Sequence, residues 1–454
     1  MIRKFLSRVF GNKPRGRGEP AVIPHSRHGI RREAISGGSR RVAETLQENG
    51  YQAFVVGGAV RDLLAGIPPK DFDVATDATP EQVRRCFRRA RLIGRRFQIV
   101  HVMMGQETVE VTTFRGHHGQ WDGARAQTDD QGRVLRDNVF GSQKEDAARR
   151  DFTVNALYYD PVTETVIDYH SGMADLEQKT LRMIGKPATR YREDPVRMLR
   201  AVRLAAKLDF SIDEDTRRPI GELASLIENV PPPRLFDEML KLLTSGHSAQ
   251  CLRQLRAEGL HHGLLPLLDT IVEQPQGKRF VTLALENTDR RVREGRPISP
   301  GFLFATLFWN EVLVHWEALQ DGGERPIPAL YQAMDETLDT QAEKLAITRR
   351  VAGDIKDIWA LQPRFEVCSG KRPYGLLEHP RFKAGLDFLR LRAEAGEVDA
   401  ALEAWWSDFL AADGETRAAM LAQKPAEKKK RRRRRRTVRA DAEPGRESTD
   451  TEIA

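Results

Sequence analysis

A chain of 454 residues, 40% hydrophobic and 30% charged, has material for two or more buried cores and no apolar run near the ~20 residues of a membrane span. Three cysteines set far apart, Cys86, Cys251 and Cys368, exclude a disulfide framework or a four-thiolate zinc site and fit a reducing cytoplasm. The net charge of +8 belongs to one segment: Lys428 to Arg436 carries +9, which leaves −1 for everything else.

At the amino end, Ile2, Phe5, Leu6, Val9 and Phe10 recur at helical spacing with Arg3, Lys4 and Arg8 between them, a short basic pattern suited to an anionic membrane surface or a protein partner. Residues 11 to about 29 read as a linker, and 1–34 as a basic extension. "SRRVAETLQENG" predicts a helix capped by Ser39, with Val42 and Leu46 on one side and Gly50 ending it. "AFVVGG" predicts a strand meeting a glycine turn, "AVRDLLAG" a short helix closed by Gly66, and "DFDVAT" a second strand. "TPEQVRRCFRRA" carries Thr79 as a cap and Pro80 in the first helical position. "RFQIVHVMM" and "TVEVTTFR" predict two strands around "GQE".

Residues 35–185 therefore read as an α/β head, with helices on a small mixed or antiparallel sheet. Beyond Leu181 the pattern turns helical. A neck over 186–250 contains "EDPVRMLRAVR" and "PPPRLFDEMLKLL", and a helical body follows over 251–422. Trp405 and Trp406 fit core packing better than stacking on bases. Nine like charges in succession cannot pack, so 423–454 is expected to be a disordered tail whose partner is a polyanion.

Asp71 and Asp73 stand two apart on a predicted strand, so their carboxylates leave the same face and repel unless a cation joins them. An oxygen-seeking divalent ion, Mg²⁺ above all, resolves that repulsion. Glu110 completes the cluster if "TVEVTTFR" lies beside "DFDVAT". Gly57 and Gly58 let backbone approach a ligand closely, and Arg61, one turn later, is placed to clamp a triphosphate.

In "EDPVRMLRAVR", Arg197, Arg200 and Arg203 recur every third residue after Asp194. An acceptor from Asp194 beside a donor from Arg197 complements adenine or cytosine. Guanine and uracil present the reverse order, a discrimination of roughly 1–3 kcal/mol per good pair. This logic admits ATP and CTP alike.

"GGAVRDLLAG" with "DFDVAT", then "RRDFTVNAL" from Arg149 and "EDPVRMLRAVR" from Glu193, resemble in order the motifs of the polymerase-beta-like nucleotidyltransferase superfamily. The branch is the class II one of bacterial poly(A) polymerases and CCA-adding enzymes. The similarity runs from about residue 35 to 245. It implies that Asp71 and Asp73 bind two Mg²⁺ ions with Glu110 as the third acidic position, and that Asp151 is a further active-site carboxylate. It also implies that Arg150 holds the nucleotide and that Asp194, Arg197, Arg200 and Arg203 select the base.

"LIGRRFQIVHV" and "IPHSRHGIRREAIS" resemble the poly(A) polymerase side of that branch. The implied activity is template-independent addition of AMP from ATP to RNA 3′ ends, by a cytoplasmic monomer. A CCA-adding enzyme and a non-catalytic RNA-binding protein on the same fold are the alternatives.

Overall fold

The computed structural model describes residues 19–94, 98–116, 126–128, 134–137, 140–260, 275–342 and 345–422. The amphipathic stretch at 1–10, the Lys/Arg run at 428–436 and residues 95–97 of "LIGRRFQIVHV" lie outside them.

Short β-rich segments between glycine and proline turns assemble the head. Its strands are β1 (Ala21–Pro24), β2 (Ala53–Val56), β3 (Asp73–Thr76), β4 (Ala90–Ile93), β5 (Ile99–Met104), β6 (Glu107–Thr113), the separate hairpin β7 (Ala126–Thr128) and β8 (Val134–Asp137), then β9 (Leu157–Asp160) and β10 (Thr165–Asp168). Eight of them form one sheet in the order β1-β10-β9-β2-β3-β6-β5-β4, antiparallel except where β3 runs parallel to β6. The stretch read as a linker is thus partly an edge strand: Ala21 and Ile23 are buried against β10, because alternation on "AVIP" gives them an inward face.

Period-two burial decides which residues face outward. Val74, Val100, Val102, Val109 and Val111 share a core with Val42, Ala43 and Leu46 of the Gly37–Glu48 helix. The intervening side chains, Asp73, Glu110 and His101, must leave the other face. That helix starts one turn earlier than expected. Ser36, not Ser39, caps it, since the Ser36 hydroxyl accepts from the Ser39 amide at 3.1 Å while Ser39 itself is buried. Thr79 caps the Pro80–Cys86 helix as expected, in a reciprocal box with Gln82.

Among the described residues from Pro187 onward the elements are helices apart from β12 (Ser211–Ile212), which pairs with β11 (Thr180–Leu181). One core runs from Phe152 of the head through Val196, Leu199 and Val202 to Ala395, so no separate core begins at residue 251. A satellite cluster holds Trp406, whose Nε1 donates to the Phe365 carbonyl at 2.8 Å, with Trp405 stacked on Phe409 at 4.8 Å. Among the described residues no helix is long and apolar enough to cross a membrane.

Candidate active site

The glycine turn sits between β2 and the Gly58–Leu64 helix. Gly57 has φ +75 and ψ −127, a conformation essentially reserved for glycine, and its amide donates to the Leu157 carbonyl at 3.2 Å. A Cβ there would stand 3.2 Å from Arg150 Nη1, whereas one on Gly58 would meet nothing closer than 3.6 Å. The two glycines, read alike from sequence, are not equivalent. Gly57→Ala is expected to cost about 1–3 kcal/mol in strain and to displace Arg150. Gly58→Ala serves as the mild control. Urea midpoints compare the two, and equal stability would mean that the turn tolerates a side chain.

Asp73 opens β3 directly beside Glu110 of β6, which meets the condition set for Glu110 to join the cluster. Asp71 lies before the strand, which starts two residues later than predicted, and is exposed. Burial first, then the carboxylates of Glu110 and Asp71, push Asp73 up to about 6, while Arg150 pulls the other way. Such a set, all oxygen and mutually repelling, suits a hard divalent cation. Among the described residues no three acidic, His or Cys side chains gather into a cage. An ion held here would fill its shell from water and phosphate, which is the habit of Mg²⁺. Glu110 is exposed and lies 3.4 Å from His101 Nε2.

Arg61, expected to reach a triphosphate, is turned inward and only 5% exposed. Its Nε and Nη2 donate to Asp62 Oδ1 at 2.8 and 2.5 Å, and Nη1 donates to Asn155 Oδ1 at 2.5 Å. Asn155 in turn donates to Asp151 Oδ1 at 2.9 Å, where the Phe152 amide also donates at 2.8 Å. The other oxygen of Asp151 accepts from Arg200 Nε and Nη2 at 2.8 and 2.6 Å.

Asp151, expected as a catalytic carboxylate, therefore has both oxygens committed within the protein. Burial alone would raise its pKa. The Arg200 guanidinium, Asn155 and the Phe152 amide overcome burial and hold it well below the usual carboxylate range. Arg200 and Arg203 both face the buried Glu238 at 3.7 Å, so these two members of the expected base-reading stripe are engaged inside. Glu238 comes from the Pro232–Leu243 helix. Its partners were not foreseeable from its position, though "RLFDEMLKLL" places it on the apolar face, an unusual address for a carboxylate.

Arg150 is held by Asp146 Oδ2 at 3.1 Å, by the Tyr158 hydroxyl at 3.1 Å and by the Asn155 carbonyl at 3.3 Å. Beside it, burial and the charges of Arg115, Arg190, Arg197 and Arg150 push the Arg149 guanidinium down to about 9. Five cations so close, from three segments, make a strong attractor for a polyphosphate. Arg115, Arg149 and Arg190 were missed in the sequence. The only signal was the arginine doublet that opens "RRDFTVNAL". Arg190 fixes the doublet's backbone, with Nη2 donating to the carbonyls of Arg149 and, at 2.8 Å, Arg150.

Asp194 Oδ2 accepts from Arg234 Nη2 at 2.6 Å, while its Oδ1 is buried without a hydrogen-bond partner. Arg197 Nη1 donates to the Arg190 carbonyl at 2.8 Å and to Glu193 at 3.0 Å. Of the predicted reading pair, the acceptor is thus the side with an uncommitted oxygen.

Comparison with known proteins bears on this arrangement. Residues 53–182 match the poly A polymerase head domain, 209–271 the probable RNA and SrmB-binding site of polymerase A, and 322–440 the polymerase A arginine-rich C-terminus. Poly(A) polymerase I of Salmonella typhimurium is 45% identical over 430 residues, 92% of each chain. The CCA-adding enzyme of Bacillus subtilis is 38% identical over 223 residues, 49% of this chain and 54% of that one. The solved Thermotoga maritima CCA-adding enzyme in complex with tRNA shares the fold at 18% identity, with a TM-score of 0.55 over 88% of this chain and 93% of the other.

Proposed function

We propose a division of labour from one premise: the chain belongs to the bacterial poly(A) polymerase family, and is a polynucleotide adenylyltransferase that adds AMP from ATP to RNA 3′ ends. The CCA-adding alternative gives way because in sequence the CCA-adding enzyme of Bacillus subtilis matches about half of the chain, whereas poly(A) polymerase matches nearly all of it.

Asp71 and Asp73, with Glu110 beside them, would hold Mg²⁺, and the raised Asp73 carboxyl is the observation that supports this. When bound there, the metal supplies charge neutralisation and acidifies a nearby hydroxyl. The protein's own side chains do the rest. Arg149 and Arg150 hold the triphosphate, with the charges of Arg190 and Arg197 behind them, so the α-phosphorus is fixed against the acidic end of β3 and charge building on the leaving pyrophosphate meets preorganised donors. Asp194 Oδ1 accepts from the exocyclic amine of adenine, and the free side of the Arg197 guanidinium donates to the adjacent ring nitrogen. Arg61, Asn155, Asp151 and Arg200 bind no nucleotide. They lock the three motifs together so that this geometry is ready before substrate arrives.

The purified chain is expected to extend an arbitrary RNA into a long ladder with ATP and Mg²⁺ alone. Short additions that require CTP and a tRNA end would overturn the reading.

A further inference from the structure

Sheet register puts four side chains in a single rank. Asp73 pairs with Glu110, Glu110 with His101, and His101 with Arg91 of the edge strand β4. Residues directly opposite across strands share a face. The adjoining rank, Val74, Val111, Val100 and Leu92, points into the core, so the Asp73 rank faces outward. Three strand spacings separate its acidic end from Arg91, ~14 Å.

The basic end is not one arginine. Arg84, Arg85, Arg88, Arg89 and Arg91 are all exposed on the helix end, turn and strand that form this edge. Among the described residues no acid lies within ion-pair distance of any of them. Arg217, by contrast, is an exposed arginine that pairs with Glu258 at 2.8 Å. Ile93, 41% exposed and two residues beyond Arg91, adds an apolar spot on the same face.

We propose that this arginine edge is the track on which the single-stranded RNA backbone enters, delivering its 3′ end along the rank to Asp73. The inference rests on the adenylyl-transfer reading and adds where the second substrate lies. The physical need is plain. An RNA terminus must come close to Asp73 and Glu110, whose charges repel its phosphates. A cationic edge three strands away holds those phosphates where repulsion is screened, while the terminal hydroxyl, which is uncharged, occupies the acidic end.

Arg88→Ala/Arg91→Ala in the full chain tests this, with Arg88→Lys/Arg91→Lys as the charge-preserving partner. Both pairs are exposed, so folding is expected to survive. The probe is an unstructured 20-mer RNA, and binding is measured without ATP at several salt concentrations. The expected result is at least tenfold weaker binding at 0.1 M salt for the alanine pair. Its slope of log affinity against log salt should be shallower by ~1.4, at about 0.7 per lost single-strand phosphate contact. The lysine pair should keep the parent slope. In turnover, KM for RNA should rise while KM for ATP on saturating RNA stays within twofold.

Unchanged RNA affinity and slope would overturn the proposal, and so would a rise confined to KM for ATP, which would make the edge a triphosphate site. Because the binding arm contains no ATP, its outcome does not depend on which nucleotide the chain adds.

Discussion

Asp73→Asn should stop AMP addition and, in the same preparation stripped of metal, raise the midpoint of unfolding. The two effects share one cause. A carboxylate that burial, Glu110 and Asp71 push up to about 6 from an ordinary 3.8 is held ionised at neutral pH against its surroundings. About two pKa units correspond to roughly 2–3 kcal/mol of folding free energy given up at pH 7. The sign follows from the order of the two values. Below about pH 4 the group is protonated in both folded and unfolded chains and costs nothing. The cost grows as pH rises from 4 to 6 and is complete above 6.

Asparagine removes the charge and keeps the shape, so the stability gain should be largest above pH 6 and vanish near pH 4. Loss of activity should be on the order of 10³-fold or more, the scale seen when a charge-stabilising group is removed from a reaction centre. RNA retention should survive. If Asp73→Asn extends RNA within tenfold of the parent rate, Asp73 does not serve the chemistry. If the midpoint is unchanged at pH 7, the crowding of carboxylates around it is not real.

What the sequence made legible was local. The glycine turn, the strand after it, and the caps at Thr79 and Gly50 all follow from patterns a few residues long, because turn chemistry and period-two burial act over that range. What stayed hidden was which charges meet at long range. Arg61 looks like a phosphate clamp in "GGAVRD", and its inward turn onto Asp62 and Asn155, the latter 94 residues later, is a matter of tertiary packing. Arg197, Arg200 and Arg203 form one stripe on paper. In the fold Arg197 meets the Arg190 carbonyl and Glu193 while Arg200 and Arg203 face Glu238 of the neck helix, so one residue type takes different partners within six positions. The edge strand at Ala21–Pro24 was missed because four residues carry too little alternation to outweigh the glycine, proline and arginine before them.

Arg200→Ala should be the most damaging substitution outside the acidic pair. It leaves Asp151 buried and charged with its principal partner gone, which typically costs about 3–5 kcal/mol. The same substitution in an Asp151→Asn background should cost far less, because no stranded charge remains. The coupling between the two changes, read from urea midpoints of the four proteins, should exceed about 2 kcal/mol. The pH dependence is opposite to that of Asp73. Asp151 is held below the ordinary carboxylate range, so its pairing stabilises the fold above about pH 4 and is lost as pH falls further.

Catalysis should fall with stability but in a particular way. Asp151 fixes Asn155, whose carbonyl holds Arg150 beside the Gly57 turn, so kcat/KM for ATP should drop while RNA affinity holds. Near-additive costs in the double-mutant cycle would show that the motif-to-motif lock carries little energy. The readiness of the nucleotide site would then have to come from the shared core that runs between head and neck.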